Sequence, residues 1–174
     1  DTGWGGIYSQ ASNYNTYIKN NLYQNGNGIC LGWTGAVIGS HYNKLINNNV
    51  TRNRFGIVID DSHSNAVENN DASWNEFRGI QIDEAFYNTI RGNNASNIGN
   101  ATDDAGISLL FCGNNVVTNN TLLNNYIGIT NRYSINNTLK NNTMVGGGIY
   151  FMGTSIEYYN SHTIDLSNTV NNKP

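Results

Sequence analysis

The sequence predicts an all-β fold, a solenoid of about seven coils that form a parallel β-helix with three short strands in each coil. The first of two observations behind this prediction is a Gly-Ile pair that recurs along the whole chain at intervals mostly in the low twenties of residues. The second is a pair of asparagines five residues apart, with apolar residues at fixed offsets, between successive Gly-Ile pairs. The Gly-Ile pairs begin at Gly6, Gly28, Gly56, Gly79, Gly106, Gly128 and Gly148.

Each Gly-Ile pair opens a short segment with the pattern Gly-Ile-x-apolar, whose alternation is typical of a β-strand with one buried face. The isoleucine is expected to point into the solenoid, and so is the residue two positions further on. These second inward positions are Ser9, Leu31, Ile59, Ile82, Leu109, Asn131 and Phe151. The pattern therefore predicts the first strand of every coil.

The paired asparagines predict the corners and the two remaining strands of each coil. An apolar residue or Tyr follows the first Asn by two positions and marks the second strand, and an apolar residue follows it by seven and marks the third. Asn tolerates left-handed backbone, and stacked Asn amides can bond from coil to coil, so each column is expected to form a ladder. The pairs are Asn15 and Asn20, Asn43 and Asn48, Asn65 and Asn70, Asn88 and Asn93, Asn115 and Asn120, and Asn137 and Asn142.

Composition excludes several classes of function. The net charge is −3 and the chain has no run of Lys or Arg, so the basic surface needed to bind nucleic acid is missing. No apolar stretch is long enough to span a bilayer. Cys30 and Cys112 fall on coils about 14 Å apart, given strand spacings of about 4.8 Å, so two free thiols are expected.

Because the repeat runs from end to end, residues 1–174 are expected to form one β-helix domain. The ends carry no obvious polar cap, which favours a piece of a longer chain. Uncapped ends expose strand edges, so end-to-end self-association is a further expectation.

The motif Gly-Ile followed by Asn-x-apolar-x-x-Asn-x-apolar-x-x-Asn resembles the right-handed parallel β-helix repeats of the pectate-lyase-like superfamily. It is most similar to the group that includes NosD-like copper-binding proteins and archaeal surface proteins. The resemblance implies a right-handed helix and an extracellular, cell-surface or periplasmic location. It implies no single activity, because the superfamily holds lyases, hydrolases, epimerases, metal-handling proteins and scaffolds.

Polar residues suited to chemistry gather near the ends of two first strands. Asp60 and Asp61 follow Gly56 by four and five residues, and Asp83 and Glu84 follow Gly79 by the same offsets. Stacked carboxylates repel one another or attract a cation. His41 and His63 share a column, each two residues before the first Asn of its coil.

Three interpretations of this cluster stay open: a solvated polar edge, a carbohydrate site and a metal site. For a carbohydrate site, paired acids predict the catalytic candidates Asp60, Asp61, Asp83 and His63. The candidates for binding the substrate are Trp33, Tyr42, Tyr87, Arg78 and Glu84. A metal site would hold Ca²⁺ on the carboxylates, or Cu or Zn on His41, His63 and Asp61.

The leading hypothesis is a non-catalytic β-helix module, a rigid structural element or a binding platform for a glycan or a neighbouring surface protein, with no cofactor required. A polysaccharide lyase, hydrolase or epimerase is the first alternative. The chain lacks the Gly-His-Gly, Arg-Ile-Lys and Asp-Pro-His elements of known β-helix enzymes, which weighs against it. A NosD-like copper-handling protein is the second alternative.

Overall fold

The structure is a computed structural model that describes residues 5–32, 38–99 and 101–174. It contains β1 (Gly5–Ser9), β2 (Thr16–Ile18), β3 (Asn21–Leu22), β4 (Asn27–Leu31), β5 (Lys44–Ile46), β6 (Asn49–Val50), β7 (Phe55–Asp60), β8 (Ala66–Glu68), β9 (Arg78–Asp83), β10 (Thr89–Arg91), β11 (Ala105–Leu110), β12 (Val116–Thr118), β13 (Thr121–Asn125), β14 (Ile127–Arg132), β15 (Thr138–Lys140), β16 (Thr143–Gly146), β17 (Ile149–Met152), α1 (Glu157–Asn160), β18 (Thr163–Ile164) and β19 (Thr169–Val170).

The strands form three parallel sheets that run along the axis of a solenoid of about seven coils, as predicted. The first sheet has the order β1-β4-β7-β9-β11-β14-β17, and the second has the order β2-β5-β8-β10-β12-β15-β18. The third sheet consists of β3-β6 and β13-β16-β19, and single bridges through Asp71 and Asn94 join these two parts. The Gly-Ile repeat sets the register of the first sheet, where Ile29, Ile57 and Ile80 are successive partners.

The core is one column of apolar side chains that the three sheets enclose. The isoleucines of the five inner Gly-Ile pairs are fully buried, and those of the two terminal pairs, Ile7 and Ile149, are partly buried. In several pairs the glycine lets an apolar side chain of the third strand pack close to the first strand. A Cβ on Gly28 would lie 2.0 Å from Cγ1 of Val50, so a side chain at that position would push the two strands apart.

Asparagine ladders close the corners, as the sequence predicts. Oδ1 of Asn93 accepts hydrogen bonds from the backbone N–H (2.9 Å) and Nδ2 (3.0 Å) of Asn70, and Nδ2 of Asn93 donates to the Val67 carbonyl at 2.8 Å. The same pattern repeats along both predicted columns. A shorter ladder of Asn25, Asn53 and Asn75 closes the third corner.

The residue before each ladder position adopts left-handed backbone, whatever its type. At the third corner these residues include Gln24, Arg52 and Trp74, with φ values of 60°, 58° and 59°. Left-handed backbone is unfavourable for most side chains other than Asn, so corners with residues such as Gln24, Arg52 or Trp74 carry strain that the ladder bonds offset.

The last coil departs from the expected pattern. Asn160 is not a ladder residue, because α1 occupies this part of the chain and the ladder continues at His162, whose Nδ1 accepts the backbone N–H of Asn137 at 3.1 Å. The hydroxyl of Tyr159, in α1, donates to the Gly153 carbonyl at 2.9 Å. Both cysteines are free and buried, as predicted.

Replacing Asn93 with Ala should destabilise the fold by about 4 kcal/mol, because it leaves the buried Asn70 N–H and Val67 carbonyl without partners. Chemical unfolding followed by circular dichroism measures the loss. The matched control is Asn49→Ala, whose exposed amide bonds to Asn21 and to no other described residue; it should change stability by less than about 0.5 kcal/mol. Equal losses in the two variants would contradict the importance of the ladder.

Candidate functional site

The predicted site residues fall into two groups, one on the outer face of the first sheet and one at the corner that follows it. On the outer face, β9 presents a polar row in which Nη1 of Arg78 donates to Oε1 of Gln81 at 3.0 Å. Nε2 of Gln81 donates to Oδ2 of Asp83 at 3.2 Å. Ile80 and Ile82 point into the core between these residues, so strand alternation places the row on the surface.

Arg132 extends this polar surface two coils further along the sheet. It lies at the end of β14, in register with Leu110 and Asp83, and its guanidinium forms an ion pair with Asp103. Between the two arginines, the Thr130 hydroxyl donates to the Ser108 hydroxyl at 3.0 Å. We call Arg78, Gln81, Asp83, Asp103 and Arg132 the sheet-face cluster.

Aromatic rings hold both arginines in place. The guanidinium of Arg78 lies 6.0 Å from the ring centre of Phe55, and that of Arg132 lies 5.7 Å from the ring centre of Tyr150. The Nε atoms of both arginines are buried and have no hydrogen-bond partner among the described residues. Burial, followed by repulsion from Arg132, lowers the pKa of Arg78. The face therefore carries two guanidinium groups close together, whose formal charge is balanced by the carboxylates of Asp83 and Asp103.

Asp60 and Asp83 are register partners on adjacent strands, as their shared offset predicts, but their surroundings differ. Asp60 is only 5% exposed, and its charge adds to the burial that raises the pKa of both Cys30 and Tyr8. Burial raises the pKa of Asp83, while its hydrogen bond from Gln81 lowers it and nearby Glu84 raises it. The structure thus brings Asp60 and Asp83, two of the three predicted catalytic carboxylates, onto neighbouring coils.

The corner group consists of Asp61, Glu84, His41, His63 and the tyrosines beside them. Asp61 and Glu84 occupy equivalent left-handed positions, with φ of 47° and 45°. The rings of His41 and His63 stack with centroids 5.0 Å apart. Tyr14 and Tyr42 also stack, at 5.1 Å, whereas Ser64 occupies the corner between Tyr42 and Tyr87. Tyrosine rings therefore do not stack continuously along this corner.

Both histidines replace asparagine as ladder acceptors. Nδ1 of His41 accepts the backbone N–H of His63 at 2.9 Å, and Nδ1 of His63 accepts that of Phe86 at 3.1 Å. These bonds favour the neutral ring with its proton on Nε2. Burial and the neighbouring His41 lower the pKa of His63, against a smaller opposing effect of Asp61.

Few side chains are suited to hold a metal. Within residues 5–32, 38–99 and 101–174, no three His, Cys, Asp or Glu side chains group closely enough to do so. Burial raises the pKa of Cys30 to about 12 and that of Cys112 to about 11, so both thiols are protonated at neutral pH. The remaining donors at the corner are Nε2 of His41, Nε2 of His63 and the Asp61 carboxylate.

Sequence reasoning missed several members of the sheet-face cluster. Arg132 follows Gly128 by four residues, the offset that Asp60 and Asp83 have from their own glycines, so aligning every coil on its glycine could have found it. Asp103 lies in the longer connection before β11, and no local pattern pairs it with Arg132. Trp33, predicted to bind substrate, lies outside the described residues.

The family model described as periplasmic copper-binding protein (NosD) matches residues 2–173. The chain belongs to the NosD family. No curated protein sequence matches this NosD-family chain. Among solved structures it is similar to the A-module of the Azotobacter vinelandii mannuronan C-5 epimerase AlgE6, with a TM-score of 0.80 and 17% identity over 95% of this chain and 48% of the epimerase chain. The chain thus spans about half of that module, and the likeness confirms the β-helix fold.

The described part of this NosD-family chain contains no helix that is both long enough and apolar enough to cross a membrane.

Stability should fall as the pH drops below about 6.5, and His63→Asn should reduce that fall. Folding lowers the pKa of His63. Its contribution to folding stability is therefore fully present above the pKa of the unfolded state, and it is lost as the pH falls through the lower pKa of the folded state. Asn13 occupies the same column and its Oδ1 accepts the His41 N–H at 2.7 Å, so Asn can serve as the acceptor.

Urea unfolding of the parent chain and His63→Asn at pH 7.5 and 5.0 measures this difference. A residual acid loss is expected in the variant, since burial also lowers the pKa of His162. Identical acid losses in both proteins would show that His63 does not contribute.

Proposed function

We propose that this NosD-family chain is a rigid binding module that holds an acidic glycan against the outer face of its first sheet. The observation that carries the proposal is the pair of guanidinium groups, Arg78 and Arg132, fixed over aromatic rings on one face. Guanidinium groups bind carboxylates with directed, charge-assisted hydrogen bonds. Uronate units carry such a carboxylate on every sugar ring.

The neighbouring side chains suit the rest of a sugar. Beside Arg78 lies the partly exposed amide of Gln81, which can exchange hydrogen bonds with sugar hydroxyls. The hydroxyls of Ser108 and Thr130 are buried and bond to each other. Asp103 already pairs with Arg132, so a ligand carboxylate would compete with an exposed residue for that guanidinium. The parallel strands hold these groups at fixed spacings, which limits the ordering cost of binding.

The family and the structural neighbour support this proposal in different ways. The neighbour acts on mannuronan, according to its name, and has the same fold at 17% identity. The family is described as periplasmic, which supports a location outside the cytoplasm, where glycans are met. A neighbouring surface protein as partner, and end-to-end self-association, both stay predictions.

Arg78→Gln and Arg132→Gln should each weaken binding of mannuronan by about tenfold or more, because each removes a charge-assisted contact. Isothermal titration with mannuronan oligomers measures the affinity, and thermal unfolding checks that the variants fold. The matched control is Arg91→Gln, which removes an exposed arginine of β10 in the second sheet and should leave binding unchanged. No binding by the parent chain to either mannuronan or polygalacturonate oligomers would overturn the proposal.

Incubation with the same oligomers, followed by analysis of the products, tests the enzyme alternative. A catalytic role for Asp60, Asp61, Asp83 and His63 stays a prediction, and product formed from these oligomers by the parent chain but not by Asp83→Asn would support it.

Copper binding at the corner is a second candidate function, supported by the family description and by the stacked pair His41 and His63. Each ring uses Nδ1 within the ladder, so copper would be held by the two Nε2 atoms, with Asp61 nearby. Imidazole nitrogens suit copper, and bound copper would supply a redox-active centre.

The double variant His41→Asn/His63→Asn should lose copper binding and keep the fold, because Asn can replace each ladder acceptor. Titration with Cu(II), followed by electron paramagnetic resonance, reports whether nitrogen ligands are present. His162→Asn is the matched control, since that histidine also accepts a ladder bond but lies in the last coil. Equal copper signals from the parent chain and the double variant would contradict the assignment.

A further inference from the structure

A groove lies on the outer face of the third sheet, on a different side of the solenoid from the sheet-face cluster. Its volume is about 490 Å³, and it runs across the coils that contain β3, β6 and the bridge residue Asp71. Tyr23 and Trp74 line it and are 57% and 62% exposed. We call it the third-sheet groove. We infer that it binds a neutral oligosaccharide, a ligand distinct from the acidic glycan proposed for the first sheet.

Aromatic rings give the groove its apolar contacts. Tyr23 and Trp74 are two coils apart, or about 10 Å along the axis at the usual strand spacing, so they flank the groove. Trp74 adopts left-handed backbone with φ of 59°, so a bulky side chain is kept in a strained conformation without being buried. The electron-rich face of such a ring packs well against the C–H bonds of a pyranose ring.

Polar groups line the groove between the two rings. Nδ2 of Asn49 donates to Oδ1 of Asn21 at 2.8 Å, and Oδ1 of Asp71 accepts from Ser73 Oγ at 2.6 Å and from Asn94 Nδ2 at 3.1 Å. These bonds fix the side chains. They leave Oδ1 of Asn49 and Oδ2 of Asp71, on adjacent coils, without a hydrogen-bond donor among the described residues. Neighbouring acceptors of this kind suit the hydroxyl groups of a sugar, which donate.

The charge of the groove favours a neutral ligand. Arg52 and Asp71 both line it and have opposite formal charges, so the groove as a whole does not select an anion or a cation. The first-sheet face differs in presenting two guanidinium groups close together, beside the carboxylates of Asp83 and Asp103. A flat aromatic surface with fixed amide and carboxylate acceptors is the combination that recognises the apolar face and the hydroxyl edge of a neutral sugar.

A second depression of about 440 Å³ adjoins the groove across the corner residues Gln24, Arg52 and Trp74, which line both. Trp74 therefore lies at the boundary between two connected recesses. An extended chain of several sugar units could pass over it, so longer oligosaccharides are expected to bind more tightly than a disaccharide.

Titration of the ¹⁵N-labelled chain with cellohexaose, mannohexaose and xylohexaose, followed by NMR, tests this inference. At least one hexasaccharide should shift the signals of residues in the third-sheet groove, including the indole N–H of Trp74. Trp74→Ala should weaken that binding about tenfold, since a lost ring contact of about 1.4 kcal/mol corresponds to that factor. Asn49→Ala should also weaken it several-fold, although its effect on stability is expected to be small.

Tyr126→Ala is the matched control, because Tyr126 is 56% exposed and lies outside the groove; it should bind like the parent chain. Arg78→Gln should bind neutral hexasaccharides normally, which separates this inference from the proposal for the first sheet. Absence of shifts with all three sugars at millimolar concentrations would overturn the inference. Shifts that persist unchanged in Trp74→Ala would overturn it as well.

Discussion

Backbone groups at the corners of a β-solenoid are buried without strand partners, and here asparagine side chains bond to them. Each ladder amide accepts from the asparagine of the previous coil and donates to a backbone carbonyl of that same coil, as Asn93 does with Asn70 and Val67. Buried polar groups without partners cost far more than exposed ones, so the coils can stack only where these bonds are complete. The core, the sheets and both candidate sites depend on this arrangement.

The ladder also determines which side chains are available for function. A residue that precedes a ladder position must adopt left-handed backbone, and its side chain then projects from the corner. That position holds Tyr42, Tyr87 and Trp74 in different coils, all of them largely exposed. The two histidines show the opposite case, because serving as ladder acceptors commits Nδ1 of His41 and His63. The ladder thus exposes aromatic rings at the corners and leaves only the Nε2 atoms of these histidines free to bind a metal.

The outer faces of the sheets differ because their strands differ in length. Strands of the first sheet have up to six residues, so β9 can present Arg78, Gln81 and Asp83 in one row. Strands β3 and β6 of the third sheet have two residues each, and the face beside them is completed by the corner residues. The long strands of the first sheet therefore present the charged face proposed to bind an acidic glycan. The short strands of the third sheet leave the neutral groove with aromatic edges. The solenoid presents both on one rigid body.

The sequence by itself determined the coils, the register and the ladders, because each follows from a repeated local spacing. Gly-Ile fixed the first strand, the paired Asn fixed two corners, and the shared offset of Asp60 and Asp83 placed them side by side. Only the tertiary structure decided which outward side chains meet. Arg132 meets Asp103 across 29 residues, and the third-sheet groove joins Tyr23 to Trp74 across two coils. Such contacts depend on how long side chains lie across stacked coils, which no local spacing encodes.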